Sequence, residues 1–161
     1  MIAKVSALLL ITALAGVGCR STKPVAWNVS ITKTTHSAIE VDLIGVAGDT
    51  KPVWEGYDME RYWKEGDQMR ADAKKLSQNL EYQKPWIVSR TNDLWKLWFD
   101  RYKATDLLVL ANLPGTNFPA GPADPRRRFL SLRKNAWDAK GHTLEVEVQD
   151  TLIHVLTKPR Q

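Results

Sequence analysis

Beyond residue 26, the apolar and polar positions of this chain fall into distinct textures. Trp27, Val29 and Ile31 alternate with Asn28, Ser30 and Thr32. After a polar turn at residues 33–37, Ile39, Val41 and Leu43 alternate with Glu40 and Asp42, as far as about Val46. A period of two sends successive side chains to opposite faces, which predicts half-buried strands. Two such strands with a short polar connection predict an antiparallel hairpin. Near the other end of the chain, Leu144, Val146 and Val148 alternate with Glu145 and Glu147. Asp150-Thr151 then turns into "LIHVL", with Ile153 and Val155 on one face, which predicts a second hairpin.

Between these ends the alternation disappears. From Tyr57 to Leu80 the chain is rich in charge, Met, Ala and Gln. This texture predicts a short helix near residues 58–64, broken at Gly66, and another near 67–76. Asp67 is placed to cap the second by accepting from the free amides of its first turn. Trp86-Ile87-Val88 reads as extended, and Asn92-Asp93 opens a helix through "LWKLWFDRY", with a strand as the competing reading. The unbroken apolar run Leu107–Leu110 predicts a strand buried on both faces. Residues 114–125 hold four prolines and two glycines and form a loop. "RRRFLSL" then begins a strand with Phe129, Leu130 and Leu132, and residues 138–141 turn. About seven short strands, gathered toward the two ends, predict a mainly β fold. The expected architecture is an antiparallel β-sandwich over residues 27–161 with a helical insertion at about 57–102. One sheet face stays wet, as Glu145 and Glu147 require.

The first twenty residues form another texture. Lys4 is the only charge before Cys19, and Val5 to Val17 is apolar apart from Ser6, Thr12 and Gly16. Such a run is too short to span a bilayer, which takes about 20 residues, and it suits the core of a signal peptide. Small residues crowd its end at Ala15, Gly16, Gly18 and Cys19. The segment resembles a bacterial lipoprotein signal, which is cut before the Cys and leaves diacylglycerol on the thiol. Gly16 stands where that pattern carries Leu, whereas Val17 and Gly18 fit it. The alternative is an ordinary secretory signal in which Cys19 is incidental. The lipoprotein reading divides the chain into a signal at 1–18, a lipidated tether at 19–26 and one domain at 27–161. Arg20, in place of the Asp that commonly retains lipoproteins in the inner membrane, implies the outer membrane, with the domain facing the periplasm.

Composition narrows the chemistry. Cys19 is the only cysteine, and on the lipoprotein reading no thiol remains, so a disulfide framework and a Cys-ligated metal site are both excluded. The net charge of +5 falls to +4 when Lys4 is removed with the signal, well short of the basic stripe of a nucleic-acid binder. Seven tryptophans give a small domain much burial per residue. Most are expected in the core and one or two at the surface, where they would suit sugars or a protein interface. His36, His142 and His154 lack metal-ligand spacing, and no nucleophile elbow, zinc-protease or phosphate-loop motif occurs. A carboxylate pair such as Asp58/Glu60 or Glu65/Asp67 could do acid–base work on a sugar, but nothing in the sequence raises the pKa of one partner, and the favoured reading is a solvated helix face. No catalytic residue, metal or cofactor is therefore expected, and the chain reads as a non-enzyme.

The residues singled out for partner binding are Phe118, Arg126, Arg127 and Arg128. Phe118 is the one large apolar side chain in the Pro/Gly-rich loop, which runs directly into the three arginines. An aromatic beside arginines is the composition enriched in interface hot spots. The competing readings are that Phe118 packs back on the sandwich and that the arginines guard a sheet edge.

Taken together, the lipobox, the "WNVSITK" strand, the apolar "DLLVLANLPG" strand, the arginines after it, Trp137 and the terminal "LEVEVQDTLIHVL" hairpin resemble the type VI secretion lipoprotein family TssJ. The family's Asn-Pro-rich segment after the first strand and its usual aromatic Gly-Val-Val-Ala wording are missing here. The resemblance implies a lipidated β-sandwich at the outer membrane that docks the periplasmic part of a large inner-membrane protein. It carries no cofactor. A second reading is a lipoprotein module that binds glycan or peptidoglycan through exposed Trp residues such as Trp54 or Trp63.

Overall fold

A computed structural model describes residues 23–160. The signal at 1–18, Cys19 and the tether as far as residue 22 lie outside the described residues. Two four-stranded sheets pack face to face. The strands are β1 (Asn28–Lys33), β2 (Glu40–Ala47), β3 (Lys75–Asn79), β4 (Trp86–Val88), β5 (Ala104–Ala111), β6 (Arg127–Ser131), β7 (Thr143–Val148) and β8 (Ile153–Val155). The helices are α1 (Lys51–Gly56), α2 (Met59–Tyr62), α3 (Gln68–Asp72) and α4 (Asp93–Asp100). One sheet has the order β4-β1-β7-β8 and the other β3-β2-β5-β6. Every pairing is antiparallel except β1 with β7. The result is the expected mainly β sandwich.

The alternation positions the core. Val29 and Ile31 of β1, Leu144, Val146 and Val148 of β7, Val41 and Leu43 of β2, and Leu107 and Val109 of β5 meet between the sheets, each at most 1 % exposed. Leu107–Leu110 is buried on both faces, as the unbroken apolar run predicts. Its second face has a specific cover: Leu108 and Leu110, with Ile44 and Val46 of β2, pack under Trp54, Met59 and Tyr62 of α1 and α2. The molecule thus has three layers, sheet on sheet and short helices on the outer face of one sheet.

Three expectations are corrected. β1 and β2 do not form a hairpin; they lie in different sheets, because β1 is hydrogen-bonded on both edges by β4 and β7. The stretch 57–102 is not purely helical. Helix starts earlier, at Lys51, and the expected helix at 67–76 ends at Asp72, after which β3 pairs with β2. Asp42 does not face water, since α2 and α3 cover the sheet there and leave it fully buried. The local signals hold: Asp67 caps α3 by accepting from the Arg70 amide at 2.8 Å, and Asn92 caps α4 through the Leu94 amide at 2.9 Å.

The strands give the domain two poles. The described chain enters beside β6, with the Val25 amide on the Leu132 carbonyl at 2.8 Å and Pro24 bridged to Arg133. β1 and β7 both start at this pole, in register from Asn28 with Thr143, and β5 starts there too. The β5–β6 connection and the β7–β8 turn meet at the opposite pole, where the Ile153 amide donates to the Pro125 carbonyl at 3.1 Å.

Candidate docking surface

The β5–β6 connection, residues 112–126, holds Phe118 and Arg126, and Arg127 and Arg128 open β6 directly after it. It is built as a latch. Asp124, 1 % exposed, accepts from the Arg126 amide at 2.9 Å, from its Nε at 3.0 Å and from its second guanidinium nitrogen at 2.8 Å. The remaining guanidinium nitrogen of Arg126 donates to Glu60 on α2 at 2.6 Å. The same guanidinium lies 4.7 Å from the ring centroid of Phe118, which is half-buried against the main core. The loop is closed by one aromatic, one arginine and two carboxylates, and Arg126 is only 5 % exposed.

Arg127 points to the other layer. Its guanidinium donates to the carbonyls of Glu55 at 2.9 Å and Tyr57 at 2.7 Å, and also to that of Trp54. These are carbonyls at the C-terminal end of α1, which the helix itself leaves without partners. A planar fork of donors matches several carbonyls at once, as an ammonium would not. Burial pulls the Arg127 guanidinium below its ordinary pKa, with Asp124 opposing that shift. Arg128 bonds back to the Arg127 carbonyl at 2.6 Å and is partly buried.

The expectation of an accessible arginine cluster is therefore corrected for Arg126 and Arg127, whose guanidinium groups are consumed inside the protein. Phe118 packs back on the sandwich, the first of its two sequence readings. What the latch presents outward is the loop's other side: Pro114, Thr116, Asn117, Pro119, Ala120 and Pro122 are all exposed. Asn117 adopts a positive φ of 65°, within the left-handed region that Asn tolerates better than most residues.

A second buried polar cluster has no counterpart in the sequence reading. Asp42 accepts from the Tyr62 hydroxyl at 2.9 Å, from Arg70 Nε at 3.0 Å and from the Ser77 hydroxyl. Arg70 also pairs with Glu40 at 2.6 Å and lies 4.4 Å from the Trp63 ring centroid. Burial, reinforced by the Asp42 carboxylate, pushes the Tyr62 hydroxyl above its ordinary pKa. This shift follows from a saturated structural network and offers no free acid or base. The only sequence trace of the cluster is the stripe Met59, Tyr62 and Trp63 at helical spacing, which marks a helix with a face to bury.

Asp58 and Asp67, members of the candidate carboxylate pairs, are helix caps. Among the described residues no group of three or more His, Cys, Asp or Glu could hold a metal, and no helix is long and apolar enough to cross a membrane. A cleft of about 290 Å³ between the helical layer and the sheet is lined by apolar groups such as Ile44, Met69, Trp98 and Tyr102, with Thr50, Asp72 and Lys74 the polar ones. No tryptophan is exposed. Five of the seven are buried, Trp54 among them, while Trp63 and Trp86 are half-buried.

No protein-family model matches the chain, and no curated protein matches it in sequence. Solved structures do match it in fold. A chain of the structure described as "Type VI membrane complex" superposes with a TM-score of 0.54 at 13% identity, covering 84% of this chain and 98% of that one. "T6SS lipoprotein TssJ1" from Pseudomonas aeruginosa gives 0.53 at 12% identity, over 86% and 99%. A chain in a structure of "T6SS protein TssM C-terminal domain" from EAEC gives 0.52 at 14% identity, over 81% and 99%. The layered sandwich of this chain is thus a TssJ-like fold, similar over nearly its whole described length to that of a type VI secretion lipoprotein.

Proposed function

We propose that the chain is a non-enzymatic assembly subunit of a type VI secretion membrane complex. It is held to the outer membrane by a lipid on Cys19 and docks a periplasmic protein partner with the pole opposite its tether. The observation that carries this reading is the fold likeness, which spans nearly all of each matched chain as well as most of this one. The position of the latched loop supports it further. Residues 112–126 lie at the pole away from Pro24 and Val25, where a membrane-anchored domain would present a surface to a partner. The carboxylate–arginine latch holds that surface in one shape, which lowers the entropy lost on docking. The glycan-binding alternative lacks comparable support, because it needs exposed Trp rings and Trp54 is 8 % exposed.

The test is capture of the periplasmic part of the TssM-type protein from the same organism. The wild type is expected to capture it. Pro119→Arg, which changes only the outer side of the loop, is expected to weaken capture at least tenfold with an unchanged melting temperature. Equal capture by this variant removes the loop from the interface, and no capture by the wild type removes the type VI assignment. Cys19→Ser is expected to move the protein from the membrane to the soluble fraction. A serine variant that still sediments with membranes in high salt overturns the lipid anchor.

A further inference from the structure

Charge is distributed unequally between the two poles. The tether pole is made by residues 23–27, 48–51, 72–74, 89–103, 132–143 and 156–160. These segments hold twelve lysines and arginines and five aspartates, with no glutamate. All twelve cations are exposed except Lys51, which is half-buried and paired with Asp106 at 3.2 Å. The rest of the described chain holds nine lysines and arginines against thirteen carboxylates. The domain is therefore an electrical dipole from pole to pole, positive where the chain enters. The asymmetry does not serve folding. The buried ion networks, Asp42 with Arg70 and Asp124 with Arg126, lie outside the tether-pole segments, whereas cations such as Lys96, Arg133 and Lys134 stand in solvent.

We propose that this basic pole is a membrane-contact surface. Its lysines and arginines lie against the anionic phospholipid headgroups of the leaflet that holds the lipid on Cys19. This rests on the lipoprotein reading of Cys19. Two observations select a bilayer as the occupant. The first is the charge, which complements an anionic surface. The second is the place where the chain leaves the fold. Cys19 is four residues from Lys23, and four residues span at most about 14 Å at the extended rise per residue. The pole is thus held within about two screening lengths of the headgroups at physiological salt, close enough for charge on a bilayer surface to act on it. A polybasic patch adds to acyl anchoring by the same attraction that acts on basic juxtamembrane segments. It also fixes orientation, because seating the positive pole on the bilayer points the latched loop away from it.

The experiment uses the full-length chain, processed in bacteria, purified in detergent and reconstituted in two kinds of vesicle. One kind is phosphatidylcholine alone and the other includes one third phosphatidylglycerol. A thiol-reactive dye is placed on Gly48→Cys at the tether pole or Ala120→Cys at the loop pole, and its collision with an aqueous quencher is measured. Lipidation blocks Cys19, so dye uptake by the chain without an introduced cysteine would show that the lipoprotein reading has failed, separately from this proposal. The expected result is a severalfold drop in quenching at position 48 when phosphatidylglycerol is present, and no change at position 120. The double variant Lys96→Glu/Arg133→Glu, or 0.5 M salt with the native charges, should abolish the drop. Both substitutions are at exposed sites, and melting temperatures confirm the fold. Equal quenching at position 48 in both vesicles, protection at position 120 instead, or protection that survives charge reversal would overturn the proposal. Equal quenching would leave the basic pole to an acidic protein surface.

Discussion

Trp98 fills the space that a side chain on Gly45 would need. A β-carbon built on Gly45 would lie 2.6 Å from the Trp98 Cβ, and closer still to its ring. Gly45 sits in β2 on the face that meets α4, and Trp98 is held there by its indole donating to the Lys74 carbonyl at 2.7 Å. The glycine is thus the socket for the helix that closes the tether pole. Gly45→Ala is expected to destabilise the domain by about 1–3 kcal/mol, the usual cost of overpacking a full core. Urea denaturation measures it, and a fully stable variant would show that α4 can lift without loss.

Arg127 ties β6 to the helical layer. Arg127→Ala leaves buried carbonyls at the end of α1 without donors and is expected to cost about 3–5 kcal/mol, the range for breaking a buried charged network. Arg127→Lys should recover little, because one ammonium cannot reproduce the fork that reaches both Glu55 and Tyr57. Arg128→Ala, with only two carbonyl contacts nearby in sequence, should cost less than half as much. Thermal melts of the three variants rank them, and equal losses would contradict the geometry.

Tyr62→Phe removes one of three donors to the buried Asp42 carboxylate while keeping the ring that packs beneath α2. Hydrogen bonds to a charged group are worth about 1.5–3 kcal/mol, which is the expected loss. Asp42→Asn in the Phe background should then cost less than in the wild type, since the two groups are coupled. A double-mutant cycle reads the coupling directly, and strict additivity would separate them.

Asp67 gives the fold an acid limit. Burial works to raise its carboxyl pKa, but the Tyr57 hydroxyl, the Arg70 amide and the Arg61 guanidinium outweigh that and hold it below the ordinary value. A carboxyl depressed in the folded state adds stability that is complete above its unfolded value, about 3.9. That contribution disappears as the pH falls through the lower folded value. Stability measured from pH 5 downward should therefore fall less steeply in Asp67→Asn than in the wild type, from a lower plateau. Parallel curves would assign the acid limb to other groups.

Where the sequence could be read and where it could not has a physical pattern. Alternation in β7 and the unbroken apolar run Leu107–Leu110 report burial directly, because a side chain's face follows from its place in the repeat. Caps such as Asp67 and Asn92 were legible because their partners lie two or three residues away. The partner of β1 was not, since alternation names the face of a strand but not its neighbour. Asp42 looked wet because α2 and α3, which cover it, come from residues well outside its own strand. Arg126 and Arg127 looked exposed for a similar reason: Glu60 and the α1 carbonyls that claim them lie more than sixty residues upstream. The loop itself could be located from its prolines and glycines, but not which of its sides faces inward.

The parallel pairing of β1 with β7 also bears on mechanical load. Tension applied at the tether first meets the Pro24–Arg133 bridge and the Val25–Leu132 bond beside β6, and then runs along the axis of β1. There β1 is bonded to β7 from Asn28 to Lys33 on one edge and to β4 on the other. Loaded along their length, those bonds must slide and break together, whereas a terminal hairpin pulled apart at its open end would yield one pair at a time. If the domain is held between a bilayer and a partner as proposed, that load would fall on a strand bonded along both edges.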